Sequence, residues 1–161
     1  MPRVDRILEH PEYIREMEQI VSCEAERIFC GHGWEHLLDV ARIAYIHVLE
    51  RRLPIPKDVI YAAALLHDIG RAAQYREGVD HAEAGAAFAE RVLPEAGFTP
   101  EERKLIKGAI SGHRQAASRE TSDALGDILS WADKQSRMCW RCPAADDCYW
   151  PEDKKNRTIL Y

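Results

Sequence analysis

Residues Val59-Ile-Tyr-Ala-Ala-Ala-Leu-Leu66 form an uncharged, largely apolar run that ends in His67-Asp68-Ile69-Gly70. A segment of this kind is built for burial, yet it closes on an imidazole and a carboxylate. An ionised carboxylate is expensive to bury unless it is paired, hydrogen-bonded or bound to a metal. The run therefore demands both a helical shell to enclose it and a partner for Asp68 elsewhere in the chain.

Helical signals dominate the rest of the sequence and strand signals are nearly absent. From Pro11 to Phe29, the residues Ile14, Met17, Ile20, Val21, Ala25 and Ile28 recur at steps of three and four, the period of an amphipathic helix, before Gly31 and Gly33. A second helix is expected over 34–51, with Leu37, Leu38, Ala41, Ala44, Tyr45 and Val48 on one stripe and Pro54 and Pro56 beyond it. The third is the run 57–69, with Gly70 as C-cap. Asp80 is an N-cap for a fourth helix reaching Ala96. Thr99-Pro100-Glu101-Glu102 combines a capping residue, proline at the first helical position and a carboxylate three residues after the cap, which starts a fifth helix reaching His113. A sixth spans Ser122 to Arg137 and carries Leu125, Ile128, Leu129 and Ala132 inward. The expected fold is an all-α bundle of about six helices over 1–138 with a short cysteine-containing appendage, 139–161, packed on the same domain.

At 161 residues and 46% hydrophobic, the chain has the length of one domain and can bury a real core. No apolar run approaches a membrane span and the amino terminus is charged, so the expected location is cytoplasmic. With 22 basic against 27 acidic residues, net −5, there is no general attraction to nucleic acid or anionic membrane. Oligomeric state is not legible.

Adjacent helical residues point about 100° apart, but at a helix end both can flank one point. A divalent ion there would neutralise Asp68 and use a nitrogen of His67. The candidate partners are His36, early in the second helix, and Asp133 in Trp131-Ala132-Asp133-Lys134 on the sixth; His81 and His113 also fall at helix ends. A His-Asp pair at a helix end also has a plainer reading, as a cap and a hydrogen bond. His32 is read as a loop residue, and His47 and His10 as surface or interhelical residues.

The order His36, His67-Asp68, Asp133, in the context of AALLHDIG, DHAEAGA, ISGHR and WADK, resembles the HD-domain superfamily of metal-dependent phosphohydrolases over about residues 30–137. The resemblance implies an all-helical fold in which His36, His67, Asp68 and Asp133 bind one metal and His81 and His113 a second, although plainer first-turn and last-turn readings of these two histidines stay open. Many members have Arg-Val three residues after the first histidine; Asp39-Val40 stands here. Two histidines and two aspartates suit Mn²⁺, Fe²⁺, Co²⁺, Ni²⁺ or Zn²⁺ better than Mg²⁺. Such an ion, with coordination positions left for water and a substrate oxygen, suits hydrolysis of a phosphate ester, a nucleotide or another small phosphorylated metabolite. Asp68, Arg71 and Lys134 are the catalytic candidates, and Arg71, Arg114, Lys134 and Arg137 the phosphate-binding ones, with solvated helix surface as the alternative for each cation. A competing expectation is a nucleotide- or redox-sensing module that keeps the fold without turnover. A purely structural helical module is the third.

Five cysteines remain. Cys139-Trp-Arg-Cys142 followed by Cys148 places a C-x₂-C pair near a third thiol, a common metal knuckle. Seven helical residues from Cys23 to Cys30 span about 10 Å, so only one of these can complete a four-thiolate shell, and Cys30 is the better placed. Zinc or an iron–sulfur cluster would fit Cys30, Cys139, Cys142 and Cys148; the alternative is free thiols packed among Trp140, Tyr149 and Trp150.

Overall fold

A computed structural model describes residues 1–112 and 124–161. Among these, the regular elements are all helical: α1 (Pro2–Leu8), α2 (Pro11–Cys23), α3 (Trp34–Glu50), α4 (Lys57–Leu66), α5 (Arg71–Glu77), α6 (His81–Ala96), α7 (Pro100–Gly112) and α8 (Leu125–Gln135), with 3₁₀ turns at Cys139–Arg141 and Glu152–Lys154. The all-α expectation holds with two short helices more than expected, α1 and α5. No described helix is long and apolar enough to cross a membrane.

Helix α4 is the centre. Val59, Ile60 and Ala62 through Leu66 are buried, and α4 packs against α1, α3, α7 and α8. The run that is apolar nearly all round is thus apolar because helices surround it. Helix α8 bridges α3 and α7, and α6 lies on α7 and α5. Leu125, Ile128, Leu129 and Ala132 of α8 point inward as the period predicts.

The local start signals act as their chemistry dictates. The Asp80 carboxylate accepts from the amides of Ala82 and Glu83, at 2.8 and 3.2 Å. Thr99 and Glu102 form the reciprocal capping box: Thr99 N–H donates to the Glu102 carboxylate at 2.9 Å, and Glu102 N–H to the Thr99 hydroxyl at 3.3 Å. Arg3 ties this corner to α1, donating to Asp58 and Glu102 while stacking 4.3 Å from the Phe98 ring centroid.

Two expectations need correction. The stripe on α2 is Tyr13, Met17 and Ile20; Ile14 and Val21 are exposed. The helix also ends at Cys23, leaving exposed Ala25 and Ile28 in the loop that follows, where Glu24 engages His32 and Tyr75. Second, Gly70 is not a left-handed C-cap. Helix α4 ends at Leu66, residues 67–70 form a turn, and Gly70 has right-handed dihedrals and opens α5. The need for glycine is steric: a Cβ at position 70 would lie 2.1 Å from the His81 carbonyl oxygen and 2.6 Å from the Gly85 nitrogen. This contact presses the His-Asp turn against the start of α6. Ser122 and His113, the expected ends of two helices, lie outside the described residues.

Candidate metal centre

The turn after α4 projects His67 and Asp68, both buried, into the angle between α3, α6 and α8. From α3 comes His36, one turn into the helix, and from α8 comes Asp133. His36, His67, Asp68 and Asp133 each offer a ligand atom within 4.8 Å of those of the other three. His36 Nε2 is 3.2 Å from Asp133 Oδ1 and 3.8 Å from Asp68 Oδ2, and His67 Nε2 is 3.1 Å from Asp68 Oδ2.

Hydrogen bonds behind the rings set which nitrogen faces the centre. His67 Nδ1 lies 2.7 Å from the Ala64 carbonyl oxygen, which can only accept, so neutral His67 carries its proton on Nδ1 and a lone pair on Nε2. The Ser136 hydroxyl donates its proton to the Asp133 carbonyl at 2.7 Å and therefore accepts from His36 Nδ1–H at 3.1 Å. That leaves the lone pair of His36 on Nε2, where it accepts from Arg137 at 3.1 Å. Two Nε2 lone pairs and two carboxylates converging on one point are a donor set that fits a divalent transition metal.

The electrostatics agree. Burial alone would raise the Asp68 carboxyl, but the His67 ring, which when protonated carries a second N–H on Nε2, together with His36 and the nearby Arg71 guanidinium holds it well below the usual carboxylate range. Asp133 is likewise held low, with burial outweighed by His36, Arg137 and His67. For His67 burial favours the neutral ring, and Asp68 and Asp133 outweigh it and raise the imidazole above its ordinary value.

The other expected site residues divide into three groups. His81, at the first position of α6, is buried with Nε2 3.5 Å from Asp68 Oδ1. Arg71 donates from Nε to Asp68 Oδ1 at 2.9 Å, and Arg137 donates to Asp133 at 2.8 Å and to the Gly31 carbonyl at 2.9 Å. Lys134 does not join them: its ammonium donates one turn back, to the hydroxyl and carbonyl of Ser130, at 2.7 and 3.1 Å. Asp133 and Lys134 are helix neighbours, and α8 can turn only one of them toward the centre. His113 and Arg114 lie outside the described residues.

Sequence reasoning missed His32. It does lie in the loop before α3, but its ring is buried with Nε2 3.9 Å from Asp68 Oδ2, and the ring stacks edge-on against His36 with centroids 5.8 Å apart. Glu24, at the end of α2, holds it by a contact to Nδ1 and by accepting its backbone N–H at 2.7 Å; the Tyr75 hydroxyl donates to the same carboxylate. The available signal was the four-residue step from His32 to His36, but no spacing rule reveals that Glu24 and Tyr75 anchor the loop.

A cavity of about 150 Å³ opens beside Asp133, lined also by His32, Arg71 and Arg137 and by Cys30, Cys139, Cys142 and Cys148. Asp133 of the quartet, the Arg71 and Arg137 guanidinium groups and four thiols thus share one space.

Comparisons with known proteins agree with this arrangement. The chain is 38% identical, over the full length of both, to an uncharacterised protein of Clostridium beijerinckii. It is 31% identical over 128 residues to a bifunctional uridylyltransferase/uridylyl-removing enzyme of Cereibacter sphaeroides, covering 71% of this chain and 13% of that protein. A crystal structure of a predicted HD superfamily hydrolase from an uncultured Thermotogales bacterium superposes with a TM-score of 0.63 at 26% identity, over 90% of this chain and 82% of that one. The HD domain profile matches residues 33–138, the segment that carries all four members of the quartet. With that match and that geometry, the chain belongs to the HD domain family.

Proposed function

We propose that this protein is a metal-dependent phosphohydrolase that cleaves a phosphate ester of a nucleotide or another small phosphorylated metabolite. The observation that carries the reading is the convergence of His36, His67, Asp68 and Asp133, with both imidazoles fixed in the tautomer that turns Nε2 inward. When bound there, a divalent transition metal supplies a Lewis acid for the phosphoryl oxygen and acidifies a water. Arg71 and Arg137 hold the aspartates in place and line the adjacent cavity, where their remaining N–H groups can donate to phosphate oxygens. Lys134, turned onto Ser130, is not assigned to this role. His32, fixed by Glu24, holds a ring nitrogen beside Asp68 and positions its carboxylate. His81 approaches the other oxygen of Asp68 and is the residue on this side suited to hold a second ion. The uridylyl-removing relative supports nucleotide phosphate chemistry, although the chain spans only a small part of that protein.

The test is a screen of nucleotide and sugar phosphomonoesters and phosphodiesters with Mn²⁺, Fe²⁺, Co²⁺, Ni²⁺ or Zn²⁺, on wild type and Asp68→Ala. Turnover and bound metal should both vanish in the variant while the helical circular dichroism spectrum survives. Turnover retained without Asp68 overturns the assignment. Nucleotide binding without hydrolysis by the wild type would favour a sensing module.

A further inference from the structure

All five cysteines lie outside the segment that the HD profile matches, so the family accounts for none of them. Four of the five are nonetheless gathered. Cys23 is exposed on α2, whereas Cys30, Cys139, Cys142 and Cys148 line the single cavity described above. They reach it from three directions. Cys30 lies in the loop that carries His32, two residues before it. Cys139 and Cys142 are held in one tight turn, in which the Cys142 amide donates to the Cys139 carbonyl. Cys148 arrives with the tail, and the ring of Tyr149 packs edge-on against Phe29, with centroids 5.9 Å apart. Because Phe29 precedes Cys30 and Tyr149 follows Cys148, that aromatic contact clips the two distant thiols to the same wall.

We propose that Cys30, Cys139, Cys142 and Cys148 form a thiolate-ligated metal site, distinct from the histidine-aspartate centre and lining the cavity that opens beside Asp133. Four thiolates around a divalent ion, or around a cubane iron–sulfur core, leave a net charge of about −2 that has to be compensated when it is half buried. The cavity supplies the compensation. Arg27, Arg137 and Lys155 line it, with Arg27 donating to the Cys30 carbonyl at 2.9 Å and Lys155 to the Ala145 carbonyl at 3.2 Å. Arg137 is shared with Asp133 and Lys155 with Glu152, so the site borrows charge from both neighbours. Among the described residues no three thiols lie within 4.8 Å of one another, as the ligand atoms of the histidine-aspartate quartet do. Metal binding therefore draws the Cys139–Cys142 turn and the tail inward, and each thiol gives up its proton on ligation. A site in this position couples the order of the tail to the shape of the cavity beside Asp133.

The experiment is elemental analysis with a visible spectrum on protein purified anaerobically, in an Asp68→Ala background that removes the first centre's metal. About one equivalent of zinc, or about four of iron with broad visible absorption, should remain in this protein. It should be lost on adding Cys142→Ser or Cys30→Ser and kept on adding Cys23→Ser. No residual metal, or metal indifferent to Cys30 and Cys142, overturns the proposal and leaves the assignment of the first centre untouched. A titration of the metal-stripped wild type with Co²⁺ needs no variant to fold. Intense near-ultraviolet thiolate-to-cobalt charge transfer is expected, and weak imidazole-carboxylate bands alone would also overturn the site.

Discussion

The histidine-aspartate centre and the cysteine-lined wall of the cavity beside Asp133 are built by opposite means. On one side the ligands stand on or next to helices α3, α4 and α8, which are packed around a buried axis, and each histidine is held by a hydrogen bond behind it. On the other side the thiols stand on a loop, a 3₁₀ turn and a tail. The tail is fastened largely by Asn156, whose amide donates to the carbonyls of Lys134 and Arg137 at 2.6 and 2.9 Å, and by Tyr161 against Trp131 and Glu50. The first is preorganised by core packing and can accept a metal with little movement. The second would gain its final shape from the metal proposed for its thiols. Chemistry that needs fixed geometry belongs on the first, and adjustment of access belongs on the second.

The most severe way to break this contrast is at the quartet. Asp68→Ala should lower turnover by about 10³-fold or more, since several kcal/mol of charge stabilisation go with the metal. Next comes the turn that delivers His67 and Asp68. Gly70→Ala forces a Cβ into the His81 carbonyl and should cost about 3 kcal/mol, read as a lower urea midpoint with loss of metal. Glu24→Gln leaves the quartet intact but loosens His32, and a 10- to 100-fold drop in activity is expected (about the usual effect of a lost supporting carboxylate).

Glu24 also makes a pH prediction. Burial works against its charge, but the hydrogen bonds from His32 and Tyr75 outweigh that and hold it at about 2, below its ordinary 4.5. A carboxylate with a depressed folded-state pKa stabilises above the unfolded value and loses that contribution as pH falls from 4.5 toward 2. Acid unfolding followed by circular dichroism should therefore show a shallower slope for Glu24→Gln in that window. His67 has the opposite sign: its raised pKa means that a proton competes with metal at Nε2, so metal affinity should fall as pH drops through that value, and calorimetry with Zn²⁺ at several pH values measures it.

The smallest expected effects are on the adjustable wall and the surface. Asn156→Ala should cost about 1 kcal/mol or less in global stability, but should release the tail to limited proteolysis and change Trp150 fluorescence. Gly108→Ala, on α7 where a Cβ would meet nothing within 4 Å, should raise stability by about 0.5–1 kcal/mol. A Gly70→Ala cost no larger than this would mean that the histidine-aspartate centre is not held by its packing.

The sequence by itself determined the helical class, the start of α6 at Asp80 and of α7 at Thr99, the inward face of α8, and the family to which the chain belongs. Helical period and capping chemistry act over one to four residues, and the order of His36, His67-Asp68 and Asp133 can be read along the chain without knowing how it folds. Which face of α2 is buried, why glycine stands at position 70, that Lys134 turns onto Ser130 while Arg137 reaches Asp133, and that His32 joins the centre under the hold of Glu24 and Tyr75 were decided by tertiary structure alone. Most of these depend on residues that meet only when separate elements pack: Gly70 on His81, Tyr75 on Glu24, Ser136 on His36; Lys134 and Arg137 each reach a residue four positions back, and the packing of α8 decides which of the two faces the centre. The four thiols belong to both. Their spacing proposes a metal, and only the packing of the tail on α8 and Phe29 brings them to one wall.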